Sequence, residues 1–266
     1  MSREDKTGAV YRAAESQTSH HTGKTGYGID DPRTIAELLI AGILAVVVGI
    51  ITSAYTASGS PKTADAALIG GSGVGFLILA VMAALYWSSK LGKPRELIRM
   101  VNGIPWGGEE VVLDLGSGRG MATVMAAKKL GPGYSVAVDT WPKSRVSGND
   151  PKSVLANASE EAVGSKVEAV KAASFQLPFA DRSFDVIVSG VAVHHLVPRR
   201  QRSVLFAEMT RVLKDGGRVG ILDAGNGYEY SSLMQEMGLR DIEMHRLRFS
   251  SFPPFHVVIG RKPYSQ

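Results

Sequence analysis

From Leu38 to Tyr55, and again from Ala66 to Trp87, the chain carries no charged residue. As a helix rising about 1.5 Å per residue the first run is roughly 27 Å long, close to the roughly 30 Å of a bilayer's hydrocarbon core, and the second run is longer. Between them Ala57 to Thr63 is polar and turn-forming, which suits a tight hairpin. Tyr55, Tyr86 and Trp87 stand at the ends of the runs, where an aromatic belt places them. Gly71 and Gly75 form a GxxxG spacing, and with Gly42 and Gly49 they allow two helices to pack closely. Two helices buried in a large soluble core are the competing arrangement, and a cleaved signal sequence would begin much nearer Met1. The patterning therefore predicts membrane helices over about 35–57 and 66–87.

Lysine and arginine set the orientation. The preceding tail carries Arg3, Lys6, Arg12, Lys24 and Arg33, the far flank carries Lys90, Lys93, Arg95 and Arg99, and the connecting loop has only Lys62. By the positive-inside rule both termini face the cytoplasm, as does everything after the hairpin. Residues 1–34 are rich in Ser, Thr and Gly without apolar periodicity and read as a disordered tail. In residues 89–104, a linker, basic residues alternate with Leu91, Leu97, Ile98 and Met100, which fits either a lipid-attracting surface helix or a plain stop-transfer flank.

Several chemistries are excluded early. The chain has no cysteine, so a disulfide framework, a thiolate zinc site and a cysteine nucleophile are all ruled out. His20-His21 lacks further ligands at useful spacing, and no metal site is expected. The net charge of +5 and pI near 9.4 come without dense basic clusters, so nucleic acid is not an expected partner.

Residues 105–266 have a different grammar. Strand-like Val111–Leu115 is followed by a glycine-rich turn and a helical stretch from Met121 to Leu130. Ser135–Asp139, Val167–Ala172, Phe184–Ser189 and Arg218–Asp223 read as further strands, and Pro151–Val163 and Pro198–Leu213 as helices. This order predicts an α/β fold with a mostly parallel sheet covered on both faces and ligands at the carboxyl ends of its strands. Arg240–Phe249 and His256–Lys262 are separated by too few residues for a crossover, so they should pair antiparallel.

The turn Gly116-Ser117-Gly118-Arg119-Gly120 lets a ligand approach the backbone without meeting a Cβ. A dinucleotide fingerprint would place its third glycine at 121, where Met121 stands, and no Gly-Lys-Ser/Thr follows for a Walker loop. Asp114, two residues before the first glycine, favours a cationic or hydroxyl-bearing ligand.

Asp114-Leu115-Gly116-Ser117-Gly118-Arg119-Gly120 resembles the first motif of class I S-adenosylmethionine-dependent methyltransferases. Asp139 matches the acid that holds the ribose hydroxyls in that family. Leu177-Pro178-Phe179 with Phe184-Asp185 resembles its LPF…FD block, and Leu213-Lys214-Asp215-Gly216-Gly217-Arg218 the turn before its fifth strand. The resemblance covers roughly residues 105–262. It implies a Rossmann-like seven-stranded sheet with an antiparallel last strand, S-adenosyl-L-methionine as cofactor, and cofactor contacts from Asp114, Gly116, Ser117, Gly118, Gly120, Asp139, Thr140, Ser174 and Ser189.

Methyl transfer mainly requires alignment of the acceptor and exclusion of water, and a base is optional. His194 and His195 follow the fourth strand, where the family places acceptor-contacting residues, and either can take a proton. Ala173 stands where many relatives carry an acid for the adenine amine, so adenine recognition falls to Ser174, a neighbour or backbone groups. The segment Trp141 to Asp150 is longer than usual, and an inert loop ranks ahead of a cover for the cofactor. The resulting expectation is a membrane-anchored methyltransferase acting on a small hydrophobic or membrane-presented acceptor, with the bilayer and that acceptor as partners. A catalytically inactive membrane scaffold or cofactor sensor is the alternative.

Overall fold

Val111–Leu115 alternates its side chains between two apolar layers, and the domain is built outward from it. The computed structural model describes residues 10–12, 26–142, 146–196, 198–224, 227–245 and 251–264. Its elements are β1 (Val10–Arg12), α1 (Pro32–Thr56), α2 (Pro61–Trp87), α3 (Lys93–Gly103), β2 (Val111–Leu115), α4 (Met121–Ala127), β3 (Tyr134–Asp139), α5 (Pro151–Glu160), β4 (Val167–Lys171), β5 (Phe184–Gly190), α6 (Arg199–Val212), β6 (Leu213–Asp223), α7 (Gly227–Glu236), β7 (Arg240–His245) and β8 (His256–Arg261).

The strands form one sheet in the order β1-β4-β3-β2-β5-β6-β8-β7. β2 pairs in parallel with β3 and β5, β3 with β4, and β5 with β6. β8 runs antiparallel between β6 and β7. The strand order reverses at β2, which makes its carboxyl end the switch point where an open α/β sheet leaves a crevice. Leu113 and Leu115 pack with Leu205, Phe206 and Met209 of α6 and Leu233 of α7. Val112 points the other way, towards Leu97, Met100 and Val101 of α3 and Ala122 of α4. Burial on both faces explains why β2 carries apolar residues at neighbouring positions, as at Val111-Val112-Leu113, rather than only at alternate ones.

Seven of these strands are those expected; the eighth is not. β1, within the tail read as disordered, adds an antiparallel edge to β4. Residues 26–31 of that tail also lie on the domain: Asn157 accepts from Gly26 N, Ile29 N donates to Ser147 Oγ at 3.0 Å, and Asp30 pairs with Lys93 at 2.9 Å. Composition misleads here because the strap borrows its partners from residues up to 131 positions away. His20-His21 and the remainder of the tail lie outside the described residues.

Two further expectations change. The linker over 89–104 is largely helical, since α2 runs through a π turn at Ser88–Gly92 into α3. Leu97, Met100 and Val101 are each 1% exposed because they pack on the sheet, so the apolar side of α3 serves the domain rather than a lipid surface. α7 occupies a stretch where no element is expected, and Tyr230, Leu233 and Met234 bury it. The extension of β7 from 246 to 249 lies outside the described residues.

α1 and α2 pack on each other through glycine. A Cβ on Gly71 would lie 2.5 Å from the Gly49 Cα, and one on Gly75 only 2.8 Å from the Gly42 carbonyl oxygen. Backbones approach this closely only where side chains are missing. The other sides are bare and apolar: Ile51 is 62% exposed, Phe76 67% and Ile69 72%.

Candidate active site

The end of β3 clamps the turn at the end of β2. Gly116 and Gly118 adopt φ of 72° and 55°, a region open to glycine at little cost. A Cβ on Gly116 would lie 2.3 Å from that of Ala192, so the β5 loop passes too close for a larger residue. Gly118 N donates to Asp139 Oδ2 at 2.9 Å, and Trp141 N donates to Asp139 Oδ1 at 2.7 Å. The Trp141 indole N–H returns to the Gly118 carbonyl at 2.7 Å. Trp141 is therefore a structural clamp on the turn, and the opening of the Trp141–Asp150 segment is not inert. Asp139 keeps further lone pairs for a diol.

Asp114 is 1% exposed, and its Oδ2 accepts from both Thr123 N at 2.8 Å and Thr123 Oγ1 at 2.6 Å. Its Oδ1 has no partner, which is costly for a buried carboxylate. Burial pushes its pKa up to about 6, against the pull of the Thr123 hydrogen bonds. A cation beside Oδ1 offsets that penalty. Ser117 Oγ and Asn149 Oδ1 are likewise buried without partners.

These residues border one cavity of about 770 Å³, in the upper part of the range for small-molecule sites and roomy enough for two reactants. Asp114, Gly116, Ser117, Gly118, Asp139, Thr140, Ser174, Ser189, His194 and His195 all line it, with Ala173 beside Ser174. Gly120 does not. It shapes the corner instead, since a Cβ there would lie 2.6 Å from Val154 Cγ1. The Ser189 hydroxyl donates to the Leu115 carbonyl at 2.8 Å, so it ties β5 to β2 even as it lines the cavity.

The loop after β5, which passes close to Gly116, carries one half of a partly buried pair. His194 Nδ1 is 2.6 Å from Oδ1 of Asp223, and His194 N donates to the second carboxylate oxygen at 2.9 Å. Asp223 ends β6 and is fully buried. On its other side is Tyr230, whose phenol burial and the neighbouring Asp223 carboxylate push well above its usual pKa. The His195 ring lies against that of His194, tilted by 42° with centroids 3.9 Å apart. The signal missed was an acid closing an apolar strand, as Asp139 does: a carboxylate placed there reaches the crevice. Among the described residues no group of three or more His, Asp or Glu is placed to hold a metal ion.

A sheet reversing at β2, with β8 antiparallel beside β6 and a carboxylate at the end of β3 beside a glycine turn, defines a class I S-adenosylmethionine-dependent methyltransferase domain. Comparison with known proteins agrees. Residues 113–221 match the family described as Methyltransferase domain. The arsenite methyltransferase of Halobacterium salinarum is 35% identical over 139 residues, which are 50% of this chain and 30% of that protein. The phosphoethanolamine N-methyltransferase 2 of Haemonchus contortus, solved with S-adenosyl-L-methionine, superposes with a TM-score of 0.55 at 16% identity over 70% of this chain and 57% of its own. The 1,6-didemethyltoxoflavin N1-methyltransferase of Burkholderia thailandensis gives 0.54 at 18% identity, over 71% and 86%. At these identities the solved structures speak for the fold alone. The chain spans less than half the length of the curated relatives it matches.

S-Adenosylmethionine is the cofactor of this domain, and the cavity's chemistry fits it. The glycines leave room where a Cβ would block, Asp139 offers acceptors for hydroxyls, and the unpartnered Asp114 oxygen suits a cationic centre.

Proposed function

We propose that the chain is a membrane-anchored methyltransferase that methylates an O–H or N–H group of a small acceptor presented by the bilayer, with both termini and the catalytic domain on the cytoplasmic side. One observation carries this reading: a single cavity is lined by the glycine turn, by His194, and by residues at the base of the hairpin, including Thr34 and Ile35 of α1 and Leu85 of α2. The hairpin supports the membrane part. Its helices, 25 and 27 residues long, reach across a hydrocarbon core of about 30 Å. Large exposed side chains along them are costly in water and ordinary in lipid.

When bound, S-adenosylmethionine supplies a methyl group already activated on a sulfonium. The protein's own residues do the rest. Asp139 and the turn Gly116–Gly118 would hold the donor's sugar end, and Thr140 and Ser174 line the same cavity. The unpartnered Asp114 oxygen would suit the donor's positive charge. Asp223, a buried acceptor, fixes His194 as the Nδ1–H tautomer, so that Nε2 carries the lone pair and receives the acceptor's proton. Asp223 thereby stabilises the imidazolium that results, as a carboxylate does in other histidine dyads.

The acceptor does not carry over from relatives. Their printed acceptors differ among themselves, and trivalent arsenic calls for soft thiolates, which this chain of no cysteine lacks. The scaffold reading draws on Ala173, which leaves the adenine wall without a carboxylate. Full-length protein in vesicles, given methyl-labelled donor and a total membrane lipid extract, separates the two. Label extracted into organic solvent supports the enzyme; donor binding without transfer to either lipid or aqueous acceptors supports the sensor.

A further inference from the structure

We infer that the acceptor is an amphiphile with an apolar chain and a proton-bearing head, and that it enters the cavity sideways from the bilayer between the start of α1 and the end of α2. This rests on the membrane reading above and adds to it the acceptor's class and route.

Depth along the hairpin is the first argument. Tyr86 and Trp87, 46% and 53% exposed, mark where α2 leaves the acyl region. Leu85, one residue further in, lines the same cavity as Asp139 and His194. Ile35, in the first turn of α1, lines it from the adjacent helix. The cavity therefore begins at the boundary between headgroups and acyl chains.

Helix packing is the second. α1 and α2 are drawn together at Gly49 with Gly71 and at Gly42 with Gly75. From Gly42 to Ile35 is roughly 10 Å along the axis, and from Gly75 to Leu85 roughly 15 Å. Below that crossing no glycine pair closes the hairpin, and the side chains at its base line the cavity.

Wall chemistry is the third. The lining also includes the apolar side chains Leu97, Val193, Leu196, Leu205 and Phe255, with Phe252 at 48% exposure. Such a wall offers no hydrogen bonds to a hydrated solute and a good surface for an alkyl or prenyl chain. Polar side chains line the same cavity around the glycine turn, among them Ser117, Asp139, Thr140 and Ser174, and others stand at the hairpin base. Asp30, Ser89 and Lys93 sit at headgroup level, already bonded to one another, and His194 sits inside. An acceptor that satisfies both ends has its chain in the leaflet and its hydroxyl or amine at His194.

The test uses full-length protein in phosphatidylcholine vesicles containing hexadecanol with a diazirine beside its hydroxyl. After illumination, crosslinked peptides should come from the exposed sides of α1 and α2 and also from the cavity wall around Val193–Leu205. Leu85→Trp, which fills the entrance, should abolish the cavity crosslinks and leave S-adenosylhomocysteine affinity intact. Ile69→Trp, on the outer side of α2, should leave both unchanged. Crosslinks on the hairpin with none in the cavity, or cavity crosslinks that survive Leu85→Trp, overturn the lateral route while the membrane reading stands. No crosslinks on the hairpin overturn both.

Discussion

His194 Nδ1 and Asp223 Oδ1 are 2.6 Å apart, and the same carboxylate takes the histidine's backbone N–H at 2.9 Å, so one buried acid fixes both the ring and the loop that carries it. His194 lines the same cavity as the glycine turn, which makes the pair the candidate base for acceptor deprotonation. Asp223→Asn offers the imidazole an amide in place of an anion. It should lower kcat by roughly 10²-fold, the scale of general-base catalysis, with S-adenosylhomocysteine affinity unchanged. An equal fall in cofactor affinity would assign Asp223 to loop folding alone.

Asp114 gives a pH dependence. Its raised pKa keeps the carboxyl protonated up to about pH 6, whereas the unfolded chain loses that proton near the ordinary aspartate value of about 3.8. Over that window the cofactor-free protein should lose stability as pH rises, by up to about 3 kcal/mol. Cofactor binding runs the other way, because the ionised form attracts a cation. Affinity for S-adenosylmethionine should fall as pH drops through about 6, and more steeply than for S-adenosylhomocysteine, which lacks the sulfonium charge. Asp114→Asn should raise the melting temperature of the cofactor-free protein at pH 8 and flatten this difference.

The hairpin predicts a contrast between neighbouring glycines. A methyl group on Gly71 meets the backbone of Gly49, whereas one on Gly70 or Gly73 meets nothing within 4 Å. Gly71→Ala should destabilise the hairpin by about 1–3 kcal/mol, the usual cost of overpacking. Gly73→Ala should be neutral or mildly stabilising through helix propensity. Thermal unfolding in detergent, followed by circular dichroism, measures both.

What the sequence revealed was local. The runs around Ile43 and Phe76, the strand into Gly116, Asp139 and the LPF…FD block each announce themselves within a dozen residues, because apolar period and turn chemistry act over that range. What it concealed is long-range. Gly26 and Asn157, 131 residues apart, meet only after folding, and so does Asp223 with His194. The segment after Trp87 reads as a linker because its basic residues mask an apolar face at Leu97, Met100 and Val101 that only the sheet reveals. Gly120 matches the family pattern and still lies off the cavity, packed against Val154, since a motif constrains backbone shape as well as contact.

Trp141 yields a further prediction from the same clamp. Its indole bonds to the Gly118 carbonyl, and its backbone N–H to Asp139. Trp141→Phe removes only the indole donor and should weaken S-adenosylhomocysteine binding several-fold, by about 1 kcal/mol for one hydrogen bond. Equilibrium dialysis with labelled ligand reads this directly.

Calorimetric titration of S-adenosylhomocysteine into the full-length protein in detergent, beside Asp139→Ala, bears most directly on the cofactor site at the carboxyl ends of the strands. The predicted result is saturable binding by the wild-type chain, weakened roughly tenfold or more by the substitution, a loss of at least about 1.4 kcal/mol. No binding by the wild-type chain, or equal binding by both, would contradict it.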